Sequence, residues 1–364
     1  MKKINIAIIG CGRIVGHHIN SILQLHTFNI VAVCDLVVDK ANAYAIEYNL
    51  KAYSNYRTML IENKDIDIVV IATPSGMHYE HAIEIIETFK KHVIIEKPTF
   101  LKIDDLKNAY KIAKKNNVLI FPVFQNRYNK AVQRVRQAIL NNELGEIRIT
   151  NVRLRWCRPQ KYYDLSDWRG TYAQDGGALT NQGIHHLDLL RYLGGDVESV
   201  NAVMKTLGAD IEVEDSVVAL LKYKNGGIGS LEVTTAARPD DFEASISIVG
   251  SKGLAQLGGV AVNMLQVFSP DPNSCEIYSD DFKDLPDRGR VYGRGHLALY
   301  NDISNCLINN IDYPINYDDC LNTITLLNAI YVSDEKSNWV NLQNMEQSKR
   351  LGREDKKLSK LYQI

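Results

Sequence analysis

The sequence predicts an α/β chain in two domains: a parallel sheet covered by helices on both faces, then an α+β domain on a mostly antiparallel sheet. Three observations carry this. Short apolar runs alternate with helix-spaced segments through the first third of the chain, the pattern of a parallel sheet with crossover helices. After about Val123 the period changes to strict alternation in short strands separated by tight turns. A length of 364 residues fits two domains, at roughly 100–200 residues each.

In chain order, Lys3 to Ile9 is a first apolar run ending in Gly10, and Ile14 to Leu25 has helix spacing. Ile30 to Cys34, Ile66 to Ala72, His92 to Ile95 and Val118 to Val123 are the further runs. Between them lie a helical stretch through Ala41, Ala43 and Ala45, the helix-like Tyr79 to Phe89, and a third helical pattern. The runs are continuous rather than alternating, as in strands buried on both sides. Residues 1–123 are read as the first domain and 124–364 as the second.

The second part opens with a helix from Arg127 to Leu140. Glu146 to Cys157 then puts Val152, Leu154 and Trp156 on one face and Asn151, Arg153 and Arg155 on the other, a half-buried strand. Ser199 to Thr206, Ser216 to Tyr223, Ile228 to Thr235, Glu243 to Val249, Leu254 to Leu257 and Met264 to Phe268 follow. Lys224-Asn225-Gly226-Gly227 between two of them is a hairpin turn signal, because Asn and Gly tolerate positive φ. Short connections of this kind make the sheet largely antiparallel. Helical patterns return at His296 to Leu307 and Asp318 to Ser333, and the charge-rich Ser348 to Lys360 reads as a solvated helix or frayed end.

Composition removes several function classes. Lys and Arg number 42 against 43 Asp and Glu, so the basic footprint of a nucleic-acid partner is absent. No apolar run approaches the ~18–20 residues of a membrane span. Ile4 to Ile9 is short and ends in glycine, unlike a secretory leader, so a cytoplasmic protein is expected. The six cysteines are scattered without a C-x-x-C pair, and no His-Glu-x-x-His occurs, so neither disulfides nor a metal are expected.

Gly10-Cys11-Gly12-Arg13-Ile14-Val15-Gly16 joins the first strand to the first helix. Gly10 permits the tight turn, and Gly12 lets the backbone approach a pyrophosphate held at the helix N-terminus. Val15 stands where a third glycine is usual, with Gly16 one place late. Asp35 ends the second strand, 23 residues after Gly12, where an acid hydrogen-bonds the adenosine ribose. Leu36 and Val37 follow, with no Arg for a 2′-phosphate, which selects NAD over NADP.

Two other strand ends carry polar punctuation: Ala72-Thr73-Pro74-Ser75-Gly76-Met77-His78, and Glu96-Lys97-Pro98. Both lie at carboxyl ends of parallel strands, where open α/β sheets bind ligands. Further on, a helix from Ala178 to Leu193 would align Asn181, His185 and Asp188 on one face.

These motifs together resemble the glucose–fructose oxidoreductase / inositol 2-dehydrogenase family (Gfo/Idh/MocA). The resemblance rests on Gly10-Cys11-Gly12-Arg13-Ile14, Ala72-Thr73-Pro74, Glu96-Lys97-Pro98, and Gly176-Gly177-x-Leu179 leading to Gly183-Ile184-His185-x-x-Asp188, and it runs from Ile4 to about Ile330. It implies a Rossmann domain followed by an open-faced, mostly antiparallel sheet. Lys97 and His185 are the implied catalytic residues. Gly10, Gly12, Arg13, Ile14, Asp35, Thr73, Pro74, Ser75, His78, Glu96, Lys97, Gln125, Trp168 and Arg169 are the implied NAD contacts. Many relatives carry an Asp four residues before the catalytic His; here that position is Asn181, which orients substrate but takes up no proton.

Arg158 to Tyr163, Asp167 to Thr171, Gln125 to Asn129 and Asp175 to His185 look like the branch that oxidises C3 of UDP-N-acetylglucosaminuronic acid in bacterial surface-polysaccharide synthesis. The residues agree on an anionic, polyhydroxylated small molecule. Arg153, Arg155, Arg158, Lys161 and Arg169 cluster in sequence, and the guanidinium fork suits carboxylate or phosphate. Tyr162, Tyr163, Tyr172 and Trp168 offer rings for stacking. Lys97, Arg155, Arg158, Tyr163, Asn181 and His185 are the expected substrate contacts. The expected step is hydride transfer from a carbinol carbon to NAD, with His185 as base and Lys97 stabilising charge on oxygen, or the two exchanged. Two other readings remain: a dehydrogenase of a free or phosphorylated sugar or cyclitol, and a non-catalytic NAD(H) sensor. Relatives assemble through the second sheet, so a homodimer or homotetramer is expected.

Overall fold

The apolar runs of the first third become strands in the expected order. In the computed structural model, which describes residues 3–283 and 293–358, β1 (Ile4–Ile9), β2 (Phe28–Cys34), β3 (Lys51–Tyr53), β4 (Ile68–Ile71), β5 (His92–Ile95) and β6 (Ile120–Pro122) form one sheet. Its order is β3-β2-β1-β4-β5-β6, and every pairing is parallel. All four side chains of β4 are fully buried, which is why its sequence is an unbroken apolar run. Helices α1 (Val15–Leu23), α2 (Val38–Tyr48), α3 (Tyr56–Glu62), α4 (His78–Glu84) and α5 (Ile103–Lys115) fill the crossovers. β3 has no apolar run to announce it: three residues at the sheet edge, none buried. The chain moves outward from β1 to β3, then returns to β4 on the other side of β1. Ligands bind at the carboxyl ends of strands beside such a reversal.

The second sheet has eight strands: β7 (Ile147–Arg155), β8 (Val197–Lys205), β9 (Ser216–Tyr223), β10 (Ile228–Thr234), β11 (Glu243–Gly250), β12 (Leu254–Gly258), β13 (Met264–Phe268) and β14 (Val340–Asn341). Their order is β13-β12-β11-β7-β10-β9-β8-β14. Among the described residues only β7 and β10 pair in parallel, so the sheet is mixed but mostly antiparallel. Val152 and Leu154 of β7 are buried on the face that carries the helices, while Arg153 and Arg155 point to the other face. Helices α6 (Lys130–Leu140), α7 (Gln160–Tyr163), α8 (Ala178–Asn181), α9 (Ile184–Gly194) and α10 (Ser274–Tyr278) belong to this part of the chain. Two further helices are α11 (Gly295–Asn309) and α12 (Tyr317–Lys336).

The helix expected from Ala178 to Leu193 is two helices. Gly183 N–H reaches back five residues to Ala178 O, at 2.8 Å, and closes α8 with a wide turn before α9 begins. A Cβ on Gly183 would lie 3.1 Å from Val233 of the sheet, so the break occurs where the backbone approaches β10. Asn181, His185 and Asp188 therefore do not share one helical face.

Two compact units are distinguished. Among the described residues the first comprises 3–123, 296–321 and 354–358, and the second the remainder of 124–353. The first unit gives way to the second after Val123, and most of α11 and the start of α12 belong to the first unit. The end of the charge-rich tail, from residue 359, lies outside the described residues. Among the described residues no helix is long and apolar enough to cross a membrane.

Candidate active site

The expected site residues fall on both units. In the first, β1 ends at Gly10 with φ +87°, and a Cβ there would stand 2.5 Å from Ala72 O at the end of β4. Only glycine fits that crossing. Asp35, at the end of β2, accepts from Cys11 N–H at 2.7 Å and from Val37 N–H at 2.8 Å. The acid thus braces the glycine turn with one lone pair on each oxygen and keeps others for a ribose hydroxyl. A Cβ on Gly12 would meet nothing within 4 Å, so the space over this backbone is open, as a pyrophosphate requires. Val15, in place of the third glycine, is fully buried, so the helix is packed by a side chain instead. Arg13 is exposed and Ile14 half-buried at the mouth of this turn. These residues fit NAD.

Thr73, Pro74 and Ser75 are half-buried after β4. His78 is different and corrects the expectation that it touches the cofactor. Its Nδ1 is 2.9 Å from Pro98 O and its Nε2 2.9 Å from Thr73 O, with the ring almost wholly enclosed. It ties the turn after β4 to the turn after β5. Glu96, also read as a cofactor contact, is likewise enclosed. Its Oε2 accepts from Lys97 N–H at 3.0 Å, and its Oε1 faces His18 Nε2 at 2.9 Å. Lys97 follows it, half-buried, before a cis Lys97–Pro98 peptide.

In the second unit His185 sits in the first turn of α9, 9% exposed. Gln125, read from the sequence as a cofactor contact, is placed against it: Gln125 Nε2 is 3.1 Å from His185 Nε2. In this orientation the amide nitrogen donates and His185 Nε2 accepts. One turn on, Asp188 accepts two hydrogen bonds from Arg127 at 2.7 Å and one from Thr323 at 2.8 Å, all buried. This ion pair fixes α9 against the segment carrying Gln125. Asn181 Nδ2 donates to Asp175, whose other oxygen accepts from Gly170 N–H at 2.8 Å. Asp175, which sequence reasoning did not single out, therefore places a carboxylate beside Asn181.

Glu214 is a second residue it missed. Its side chain lies over Gly177, where a Cβ would stand 1.9 Å from the carboxyl group. Burial pushes its pKa up to about 7. The only sequence signal was a pair of acids, Glu214 and Asp215, ahead of an apolar strand. His186, beside His185, is fully buried against Trp156 with ring centroids 6.1 Å apart, and burial lowers its pKa to about 4.

The basic run divides. Arg155 makes a double contact with Glu232, at 2.6 and 2.7 Å, and a third with Glu243 at 3.1 Å, on the sheet face away from α9. With two carboxylates already on its guanidinium it is no receptor for a third, and the expectation that it binds substrate is corrected. Tyr163 is corrected too: it is buried with its hydroxyl 3.0 Å from Thr235 Oγ1. Arg158 lies over the rings of Trp156 and Tyr162, at 5.0 and 5.7 Å, and donates to Asp241 at 2.8 Å. Arg169 is held between Tyr162 and Trp168, at 4.4 and 4.6 Å. Arg158, Tyr162, Trp168 and Arg169 thus form one stacked group, all half-buried.

Comparison with known proteins fixes the class. Residues 4–124 match the model of an oxidoreductase family with an NAD-binding Rossmann fold, so the protein is an NAD-binding oxidoreductase. Residues 132–256 match the GFO/IDH/MocA C-terminal domain. The chain belongs to the GFO/IDH/MocA family. It is 31% identical over 280 residues to D-glucoside 3-dehydrogenase of Escherichia coli, covering 70% of this chain and 77% of that one. Among solved structures it resembles the WlbA dehydrogenase of Bordetella pertussis in complex with NADH and UDP-GlcNAcA, with a TM-score of 0.86 and 36% identity over 93% of this chain and 98% of that one. The corresponding complex of WlbA from Chromobacterium violaceum gives 0.83 and 32%, over 94% and 96%.

Proposed function

We propose that this protein is an NAD-dependent dehydrogenase that oxidises the C3 hydroxyl of UDP-N-acetylglucosaminuronic acid to a ketone, in the making of bacterial surface-polysaccharide sugars. The observation that carries the reading is the likeness, over almost the whole chain, to a dehydrogenase crystallised with NADH and UDP-GlcNAcA. Bound NAD supplies the hydride acceptor. His185 takes the hydroxyl proton. Lys97, the other residue the family resemblance makes catalytic, stabilises negative charge that develops on oxygen. Arg158 and Arg169, with the rings they stack on, suit a uracil and its diphosphate. Asn181, set by Asp175, orients the sugar.

The likeness to D-glucoside 3-dehydrogenase supports a second reading, oxidation of a sugar that carries no nucleotide. The face of the second sheet opposite the helices exposes Val203, Val218 and Leu220 at 57%, 57% and 52%, which supports assembly as a homodimer or homotetramer.

Incubation with NAD⁺ and a panel of UDP-sugars, glucosides and sugar phosphates tests the reading. The expected result is NADH absorbance with UDP-N-acetylglucosaminuronic acid and a product lighter by one H₂. UDP alone should raise the melting temperature. Turnover of glucosides with none of the UDP-uronate would replace the first reading by the second.

A further inference from the structure

His18, Glu96 and His296 are remote in sequence and meet inside the first unit. Their side chains are 0%, 5% and 1% exposed. His18 comes from α1, Glu96 follows β5, and His296 opens α11. Glu96 Oε1 lies 2.9 Å from His18 Nε2 and 3.6 Å from His296 Nε2. One ligand-type atom of each residue falls within 4.8 Å of the other two.

Two imidazoles and a carboxylate are a zinc donor set. Donors bound tetrahedrally at about 2.0–2.1 Å stand roughly 3.3–3.4 Å from one another. The separations here, 2.9 and 3.6 Å, straddle that value. Two independent features point the same way. His18 Nδ1 is 2.8 Å from Tyr300 OH, the outer contact that orients a metal-binding imidazole and turns Nε2 inward. Neither ring nitrogen of His296 has a hydrogen-bond partner among the described residues, although the ring is buried. At 3.6 Å its Nε2 is too far from Glu96 Oε1 for a hydrogen bond. A buried polar atom left so carries an uncompensated desolvation cost, which an ion between Nε2 and Oε1 would remove. Glu96 Oε2 is already engaged by Lys97 N–H, so Oε1 is the oxygen left to ligate. Phe28 and Tyr300, with ring centroids 5.8 Å apart, supply part of the apolar wall.

We propose that His18, Glu96 and His296 form a binding site for a divalent transition metal, zinc foremost, with a fourth position for water. The ion joins α1, the end of β5 and α11. Through Glu96 it pins the backbone N–H of Lys97. Its role is to hold this strand end, and no step of the reaction is assigned to it.

Cobalt(II) titration of the full-length, tag-free chain after chelation and dialysis tests this. The expected result is the visible absorption of four-coordinate cobalt, saturating at one ion per chain and bleached by zinc. His296→Gln should abolish the band. Tyr300→Phe keeps all three ligands, guards against a variant that fails to fold, and should weaken cobalt affinity by about 10–100-fold. Absence of the band in the wild-type chain at equimolar cobalt would overturn the proposal and leave a hydrogen-bonded His–Glu–His cluster. A band unchanged in both variants would place the ion elsewhere and overturn it equally.

Discussion

Glu214 gives the sharpest test of how the second unit is held together. Its carboxyl group is enclosed over Gly177. Oε1 accepts from Tyr331 OH at 2.9 Å and from Leu179 N–H at 3.2 Å, while Oε2 has no partner among the described residues. Burial outweighs those two donors and lifts the pKa from 4.5 to about 7. The folded chain therefore holds this proton more tightly than the unfolded chain. The stability this contributes is complete below pH 4.5 and is lost as the pH rises through about 7. At about 1.4 kcal/mol per pKa unit, the loss is about 3 kcal/mol. Glu214→Gln keeps the oxygen that accepts both hydrogen bonds and stays neutral at every pH. Urea unfolding followed by tryptophan fluorescence should give curves within about 1 kcal/mol of each other near pH 5, and a variant more stable by about 3 kcal/mol near pH 8.5. Stability–pH curves that stay parallel across this window would show that Glu214 is not held neutral, and the reasoning fails.

Gly177→Ala places a methyl group 1.9 Å from the same carboxyl group, and a loss of about 1–3 kcal/mol is expected. The double variant Gly177→Ala/Glu214→Ala should recover part of it, and strictly additive losses would count against the contact. Asp188→Ala removes the buried carboxylate that takes two hydrogen bonds from the Arg127 guanidinium, so denaturant unfolding should show a cost of about 3–5 kcal/mol. His186 is neutral in the folded chain and its pKa falls from 6.5 to about 4, so its contribution is present above 6.5 and lost on acidification toward 4. His186→Leu should make unfolding less steep with pH in that range, and an unchanged slope would exclude His186. His185→Ala should lower turnover by about 10²–10⁴ while NADH binding, read by fluorescence, persists.

What was legible in the sequence was whatever a local pattern encodes. β4 reads directly because burial on both faces leaves no polar position in it, and the Gly10 turn reads because only glycine passes Ala72 O. β3 did not read, since a three-residue edge strand needs no apolar run. The site residues read by type but not by partner. His78 and Tyr163 stand in the right segments, yet their polar atoms are spent on Thr73, Pro98 and Thr235. Arg155 was legible as a cation but not as a neutralised one, because Glu232 and Glu243 reach it only through the register of β10 and β11 on β7. Asp175, Glu214 and the pairing of Gln125 with His185 exist only once the chain is folded.

Two buried glutamates show why residue type and depth do not settle the state of a site. Glu96 and Glu214 are both enclosed, at 5% and 2% exposure, and desolvation favours the neutral form of each. At Glu214 the donors are one phenol and one amide, too weak to overcome burial, and the group stays protonated near neutrality. At Glu96 burial is opposed by His18 and by the nearby His296, and the pKa falls well below the carboxylate range. The first carboxyl group is packing for the Gly177 turn and works best without charge. The second is held as an anion directly behind Lys97. Two carboxyl groups buried to the same depth thus take opposite states according to the imidazoles the fold brings up to one of them, and that choice is made by residues 78 and 200 positions away in the chain.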